Sequence, residues 1–125
     1  MQNHSSFSLK ARIQSFAFAF AGLFQLVRKE HNARIHLLAT AAVLAAGLLL
    51  HIGRADWLAV VMATGLVWCA EAFNSAIEKL TDQVSPEWNV QAKYIKDVAA
   101  AAVLIAAITA VVVACLVFIP RLQAL

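Results

Sequence analysis

Charge is scarce in this 125-residue chain: 14% of its residues are Asp, Glu, Lys or Arg, while 62% are hydrophobic. Soluble proteins average about 25% charged and about 45–50% apolar residues. A small soluble chain has too much surface to hide that many apolar side chains, so the composition favours an integral membrane protein over a compact soluble domain. Cysteine is nearly absent. Cys69 and Cys115 both lie in apolar runs, at no metal-ligand spacing and in no disulfide framework, and read as small core residues. The four glycines, Gly22, Gly47, Gly53 and Gly65, are isolated, so no Gly-rich phosphate loop exists and a P-loop scheme is excluded. The net charge of +3 is mild, and the ten Lys and Arg residues are spread along the chain. They point to membrane topology rather than to nucleic acid. The length fits one domain and excludes a large multi-domain enzyme or a many-stranded porin-like barrel.

Long apolar runs are abundant instead. Three segments predict transmembrane helices, at about 35–52, 57–80 and 98–119. The third holds 22 residues with Thr109 as its one polar side chain, and a helix of that length spans about 33 Å, enough for the hydrocarbon core. The first is short but sufficient. The second is apolar from Trp57 to Ala70 and then meets Glu71; taken as one helix to Leu80 it still spans. A tight loop, His51 to Asp56, joins the first two segments. The second loop contains Ser85-Pro86-Glu87, which predicts an N-cap and first turn of a short helix running toward Lys96.

Upstream of the spans, Leu9, Ile13, Phe16, Phe20, Leu23, Phe24 and Val27 follow helical spacing on one face, with Lys10, Gln14, Gln25 and Arg28 opposite. That predicts an amphipathic interfacial helix over about 9–28. Phe16, Phe18 and Phe20 alternate with alanines, a pattern that also fits a strand, although no partner strand is visible. Ala17-Phe18-Ala19 mimics a signal-peptide cleavage site, but only four residues separate it from Arg12, too few for an apolar signal core. Lys10, Arg12, Arg28, Lys29, Arg34, Lys79, Lys93 and Lys96 fall on one side of the membrane and only Arg54 and Arg121 on the other. The positive-inside bias therefore predicts a cytoplasmic N-terminus, three spans and an outward C-terminus. Ala102, Ala106, Ala110 and Ala114 recur every fourth residue in the third span, which suits close helix packing within the chain or between copies.

The chemistry concentrates at the end of the second span. Glu71, Asn74, Ser75, Glu78 and Asp82 share one helical face. A carboxylate at membrane depth costs about 2.5–3.5 kcal/mol, so a stripe with three of them must face cations, basic side chains or water. A solvated helix end accounts for Asp82 well and for Glu71 poorly, because Glu71 directly follows the apolar run. Glu30, just before the first span, and Lys96 and Asp97, just before the third, belong to the same side of the membrane. Carboxylates and a lysine at one interface suit Mg²⁺ with a polyphosphate, because Mg²⁺ takes one or two carboxylates and shares phosphate oxygens. A remaining carboxylate would deprotonate an attacking hydroxyl. The residues thus suit phosphoryl transfer within a membrane. They also suit a non-enzymatic ion-coupled channel or transporter subunit, or a regulatory assembly partner whose stripe serves only packing.

Glu71-Ala72-Phe73-Asn74-Ser75-Ala76-Ile77-Glu78, then Asp82, then Ala92-Lys93-Tyr94-Ile95-Lys96-Asp97-Val98-Ala99, resembles the prokaryotic diacylglycerol kinase family, whose pattern reads E-x-x-N-[ST]-A-[IV]-E-x-x-x-D followed by A-K-x-x-K-D-x-A. The resemblance runs from about Arg12 to Phe118 and its motifs are long and specific. Lys29 to His36 and Ser85-Pro86-Glu87 look closer to the undecaprenol kinase branch. The resemblance implies an all-α integral membrane fold: a homotrimer with three spans and an interfacial helix per chain, and active sites between protomers at the cytoplasmic face of the inner (plasma) membrane. It implies transfer of the γ-phosphate of MgATP to the hydroxyl of a lipid, undecaprenol or diacylglycerol. Glu71 matches the general base and Asn74 its neighbour, with Ser75 beside them; Glu30 and Glu78 match the metal-binding, nucleotide-facing carboxylates. Lys96 and Asp97 match a nucleotide-contacting pair, Asp82 a further polar site residue, and Arg12 a basic nucleotide contact. Phe18 stands where some members carry Tyr, and no role is carried over to it. Outside the motifs, His31 and His36 suit contact with phosphate or lipid headgroups but read first as interfacial polar residues. His51 and Trp57 read as anchors of the outer interface, Trp88 of the inner one, and Trp68 as packing.

Overall fold

Ser8 starts the first helix. Its hydroxyl oxygen accepts a hydrogen bond from the backbone N–H of Ala11 at 3.3 Å, satisfying one of the donors that a helix start leaves free. The computed structural model describes residues 6–125. In it α1 runs Leu9–Lys29, α2 His31–Leu49, α3 Arg54–Val84 and α4 Val90–Gln123. The chain is all-α, and no strand occurs among the described residues; the alternating Phe16, Phe18 and Phe20 lie inside α1. Three of the helices, α2, α3 and α4, are long and apolar enough to cross a membrane.

One residue separates α1 from α2. Glu30 is extended (φ −104°, ψ 124°) and serves both as the end of α1 and as the start of α2. Arg34 reaches back over this elbow. Its Nε donates to the Val27 carbonyl at 3.0 Å and its Nη2 to the Arg28 carbonyl, so a cation closes the negative end of α1. Helix α2 therefore begins before the apolar run does. Apolarity marks where lipid contact would begin, whereas the backbone turns helical as soon as Glu30 has set the new direction.

A Schellman turn ends α2. The N–H of Ile52 bonds to the Gly47 carbonyl and that of His51 to the Leu48 carbonyl, with His51 in the left-handed region at φ 49°. The turn tucks Ile52 beneath Trp57. These two, with Val60, Val117, Val43 and Val113, form the apolar knot that ties α2, α3 and α4 together at this end.

Helix α4 packs back along the length of α3. On α3 the inward positions begin Val60, Ala63, Val67; on α4 they are Ala92, Ala99, Ala106 and Val117. Steps of three and four on α3, and of seven and eleven on α4, keep these positions on one face of each helix, and the two faces form the seam. The alanine row expected to share one face splits accordingly: Ala106 is buried against α3, whereas Ala102 is exposed. On the other flank of α3 lies α2, and α1 folds against both α2 and α3. Helices α2 and α4 make no extended contact with each other, which leaves a groove between them floored by α3.

The short helix expected from Ser85 to Lys96 does not form as a separate element. Ser85 ends α3, its N–H bonded to the Thr81 carbonyl at 2.8 Å, and its hydroxyl takes a hydrogen bond from the Asn89 amide. Asn89 is the cap instead, accepting from Ala92 N–H at 2.9 Å. From Val90 the helix continues unbroken to Gln123, so Lys93, Lys96 and Asp97 ride on the first turns of the third span itself.

Candidate active site

The inward seam of α3 changes chemistry halfway along. After Val60, Ala63 and Val67 the next inward residues are Glu71, Asn74 and Thr81, all buried. Thr81 satisfies itself by donating to the Ile77 carbonyl at 2.7 Å. Glu71 is 1% exposed and is the largest fully buried side chain among the described residues. Its Oε2 lies 3.3 Å from Nε2 of His36 on α2. A carboxylate only accepts, so His36 donates.

His36 is itself held. Thr40 Oγ1 donates to the His36 carbonyl at 2.7 Å, and Trp68 Nε1 donates to Thr40 Oγ1 at 2.9 Å. The Trp68 ring meets the imidazole edge-on, with centroids 6.4 Å apart and planes at 68°. Two residues on α2 and two on α3 thus form one polar network inside an apolar helix pair.

Two atoms beside this network have no partner. Asn74 Oδ1 and Ser75 Oγ are buried without a hydrogen bond. Buried polar atoms are nearly always paired, and an unpaired one costs about 1–3 kcal/mol. Both sit within one turn of Glu71, where a bound hydroxyl or phosphate would find them.

The polar face expected on α3 spans an arc of about 100°, and its two edges meet different neighbours. Ser75 lines a groove of about 510 Å³ between α1 and α3, together with Gly22, Lys29, Glu30 and Lys79. Asn74 and Glu78 line a second groove of about 340 Å³, with Asn32 and His36 of α2 and Val103 of α4. Asp82 belongs to a third, of about 350 Å³, with Lys93, Lys96 and Asp97. There Lys96 pairs with Asp82 and Lys93 with Asp97. These exposed pairs add little stability, but they hold two lysines at the mouth of the α3–α4 hairpin. Glu30 and Glu78 therefore flank α3 from different grooves, and among the described residues no three His, Cys, Asp or Glu side chains converge on one point. Arg12 is exposed near the start of α1, about 27 Å along the helix from Glu30.

Sequence reading left His36 as an interfacial polar residue. The signal was present in the hairpin rather than in any motif: His36 and Glu71 stand equally far from the loop expected at His51 to Asp56, and in the structure they meet across two antiparallel helices.

With this geometry in place, the similarity to known proteins is informative. The family model for prokaryotic diacylglycerol kinase matches residues 17–118. The chain belongs to the prokaryotic diacylglycerol kinase family. As a member it is an enzyme, a multi-pass membrane lipid kinase. It is 32% identical over 109 residues to undecaprenol kinase of Bacillus subtilis (strain 168), covering 87% of this chain and 89% of that protein. It is 37% identical over 112 residues to diacylglycerol kinase of Synechocystis sp. (strain ATCC 27184 / PCC 6803 / Kazusa), covering 89% of this chain and 64% of that one. The matched stretch of this kinase contains the whole buried network and all three grooves' polar residues, whereas Arg12 lies upstream of it.

Proposed function

We propose that the protein catalyses the ATP- and Mg²⁺-dependent phosphorylation of the hydroxyl of a membrane lipid, undecaprenol or diacylglycerol, and releases the lipid phosphate. The observation that carries this reading is Glu71, a carboxylate 1% exposed in the apolar seam, with unpaired Asn74 Oδ1 and Ser75 Oγ beside it. Glu71 accepts the proton of the lipid hydroxyl. The hydroxyl oxygen forms its bond to the γ-phosphorus, and the bond from that phosphorus to the bridging oxygen breaks, so ADP leaves with the electron pair. Positioning and charge neutralisation dominate such a step. The apolar helices around Glu71 keep water from competing as acceptor.

Asn74 and Ser75 orient the groups that meet Glu71. Lys96, held by Asp82, supplies a point charge for phosphate, with Asp97 and Arg12 as further nucleotide contacts. Glu30 and Glu78 offer hard oxygen donors that fit Mg²⁺, and they would hold it with phosphate oxygens completing its shell. Bound there, Mg²⁺ neutralises charge on the transferring phosphoryl group. In this reading the protein is a homotrimer whose sites are completed between protomers, with Arg12 reaching a neighbour's nucleotide. Helix α1, none of whose residues is buried, lies in the membrane interface, and the basic residues set the N-terminus and the site on the cytoplasmic side of the inner (plasma) membrane. Similarity over nearly the full length of an undecaprenol kinase supports undecaprenol as the first acceptor to test.

The test is a radiolabelled ATP assay on the detergent-purified chain, with undecaprenol and diacylglycerol in parallel and Glu71→Gln as control. Label is expected in a lipid with wild type only, and the ratio between lipids identifies the acceptor. Glu71→Gln should lose at least about a thousandfold in rate while keeping ATP binding. A variant that retains most of the rate would remove Glu71 as the base.

A further inference from the structure

We infer that His36 is the positioning residue for Glu71: its imidazole fixes the carboxylate so that one oxygen is tied to the protein and the other is left for the lipid hydroxyl. The inference rests on the proposed role of Glu71 as base. Among the described residues, His36 is the side chain hydrogen-bonded to Glu71, through Oε2 at 3.3 Å. Among the described residues no group hydrogen-bonds Oε1, and it is the atom free to take the proton. A contact of this length is usual for a catalytic pair before substrate binds.

The construction behind His36 distinguishes it from an incidental neighbour. A Glu side chain has three rotatable bonds, and His36 supplies the hydrogen bond that ties the carboxylate end to one arrangement. The imidazole in turn has a neighbour of its own: the Trp68 ring stands edge-on to it, and Trp68 is fixed to α2 by donating to Thr40, which donates to the His36 backbone carbonyl. Glu71, with its side chain 2% exposed, is buried, whereas His36, at 16%, reaches the edge of the α2–α4 groove, so a misdirected carboxylate would have little solvent to correct it. The arrangement matches the general pattern of a reacting group, its partner and a third group that orients the partner.

Two variants and one spectroscopic measurement test this. The amide of Gln can place an N–H near the position of His Nε2; Leu cannot. His36→Leu should lower kcat about 10- to 100-fold, the loss of one hydrogen bond to a charged group, with KM for ATP changed by less than about twofold. His36→Gln should recover most of that loss. Independently of activity, ¹⁵N-histidine NMR of the detergent-solubilised protein should show the His36 ring resonance, assigned by its disappearance in His36→Gln, moving in Glu71→Gln while those of His31 and His51 stay. A packing role would instead lower kcat equally in both variants, so equal losses overturn the inference. Wild-type kcat in His36→Leu, or an unmoved His36 resonance, also overturns it. If the resonance moves but Glu71→Gln phosphorylates at the wild-type rate, the base assignment fails, and the positioning role fails with it although the pair exists.

Discussion

Glu71 occupies a seam position that, earlier on α3, is taken by Val60, Ala63 and Val67. A carboxylate at membrane depth costs about 2.5–3.5 kcal/mol even after accommodation, and one hydrogen bond from His36 offsets only part of that. The chain therefore carries a local instability at this position, and the unpaired Asn74 Oδ1 and Ser75 Oγ are of the same kind. Glu30 and Glu78 differ, being partly exposed and lining open grooves. If they hold Mg²⁺, Glu30→Gln and Glu78→Gln should each raise the Mg²⁺ concentration for half-maximal rate by at least about tenfold. A Mg²⁺ titration of initial rates checks this, and wild-type curves for both variants would refute the assignment. Glu71 was legible in the sequence because it ends an apolar run that has no other reason to stop there. His36 was not, because a single polar residue near a helix end is common, and only its level with Glu71 across the hairpin gives it a role.

At the scale of elements, the α2–α3 turn decides how accurately that level is kept. Gly47 is central to it. A Cβ there would lie 2.6 Å from Trp57 Cη2, 2.8 Å from Cζ2 and 3.1 Å from Ile52 Cδ1. Alanine would gain about 1 kcal/mol of helix propensity, but moving the indole out of the knot formed with Val60 and Val117 costs about 1–3 kcal/mol. Gly47→Ala should therefore lower thermal stability in detergent. Because the turn sets the register of His36 against Glu71, it should also lower kcat. An unchanged melting temperature would show that Trp57 has room to move. Most of the helices were readable from hydropathy and periodicity. Their ends were not. Asn89 rather than Ser85 starts α4 because Ser85 already closes α3, and two helices cannot use one cap. The one-residue elbow at Glu30 depends on Arg34 folding back onto the Val27 and Arg28 carbonyls, a contact no local pattern announces.

At the scale of the molecule, one chain leaves its polar residues in three grooves around α3. A homotrimer that completes each site between protomers should show complementation. Assayed at a Mg²⁺ concentration too low to support Glu30→Gln alone, Glu30→Gln and Glu71→Gln chains should regain measurable activity when co-reconstituted if the two residues of one site come from different chains. No recovery, with the trimer intact by native mass spectrometry, would put both on one chain. The sequence by itself determined the membrane class, the three spans, the family and the carboxylate stripe. Each follows from composition, from periodicity or from a contiguous motif, which are properties of neighbouring residues. Only the tertiary structure decided that α2 and α4 stand apart over α3, that the stripe divides between three grooves, and that His36, linked to Thr40 and Trp68, meets Glu71. Those facts depend on the register of antiparallel helices. That register is set by the Schellman turn at His51 and by interlocking along the seam, and so by residues distant in sequence from the groups they align.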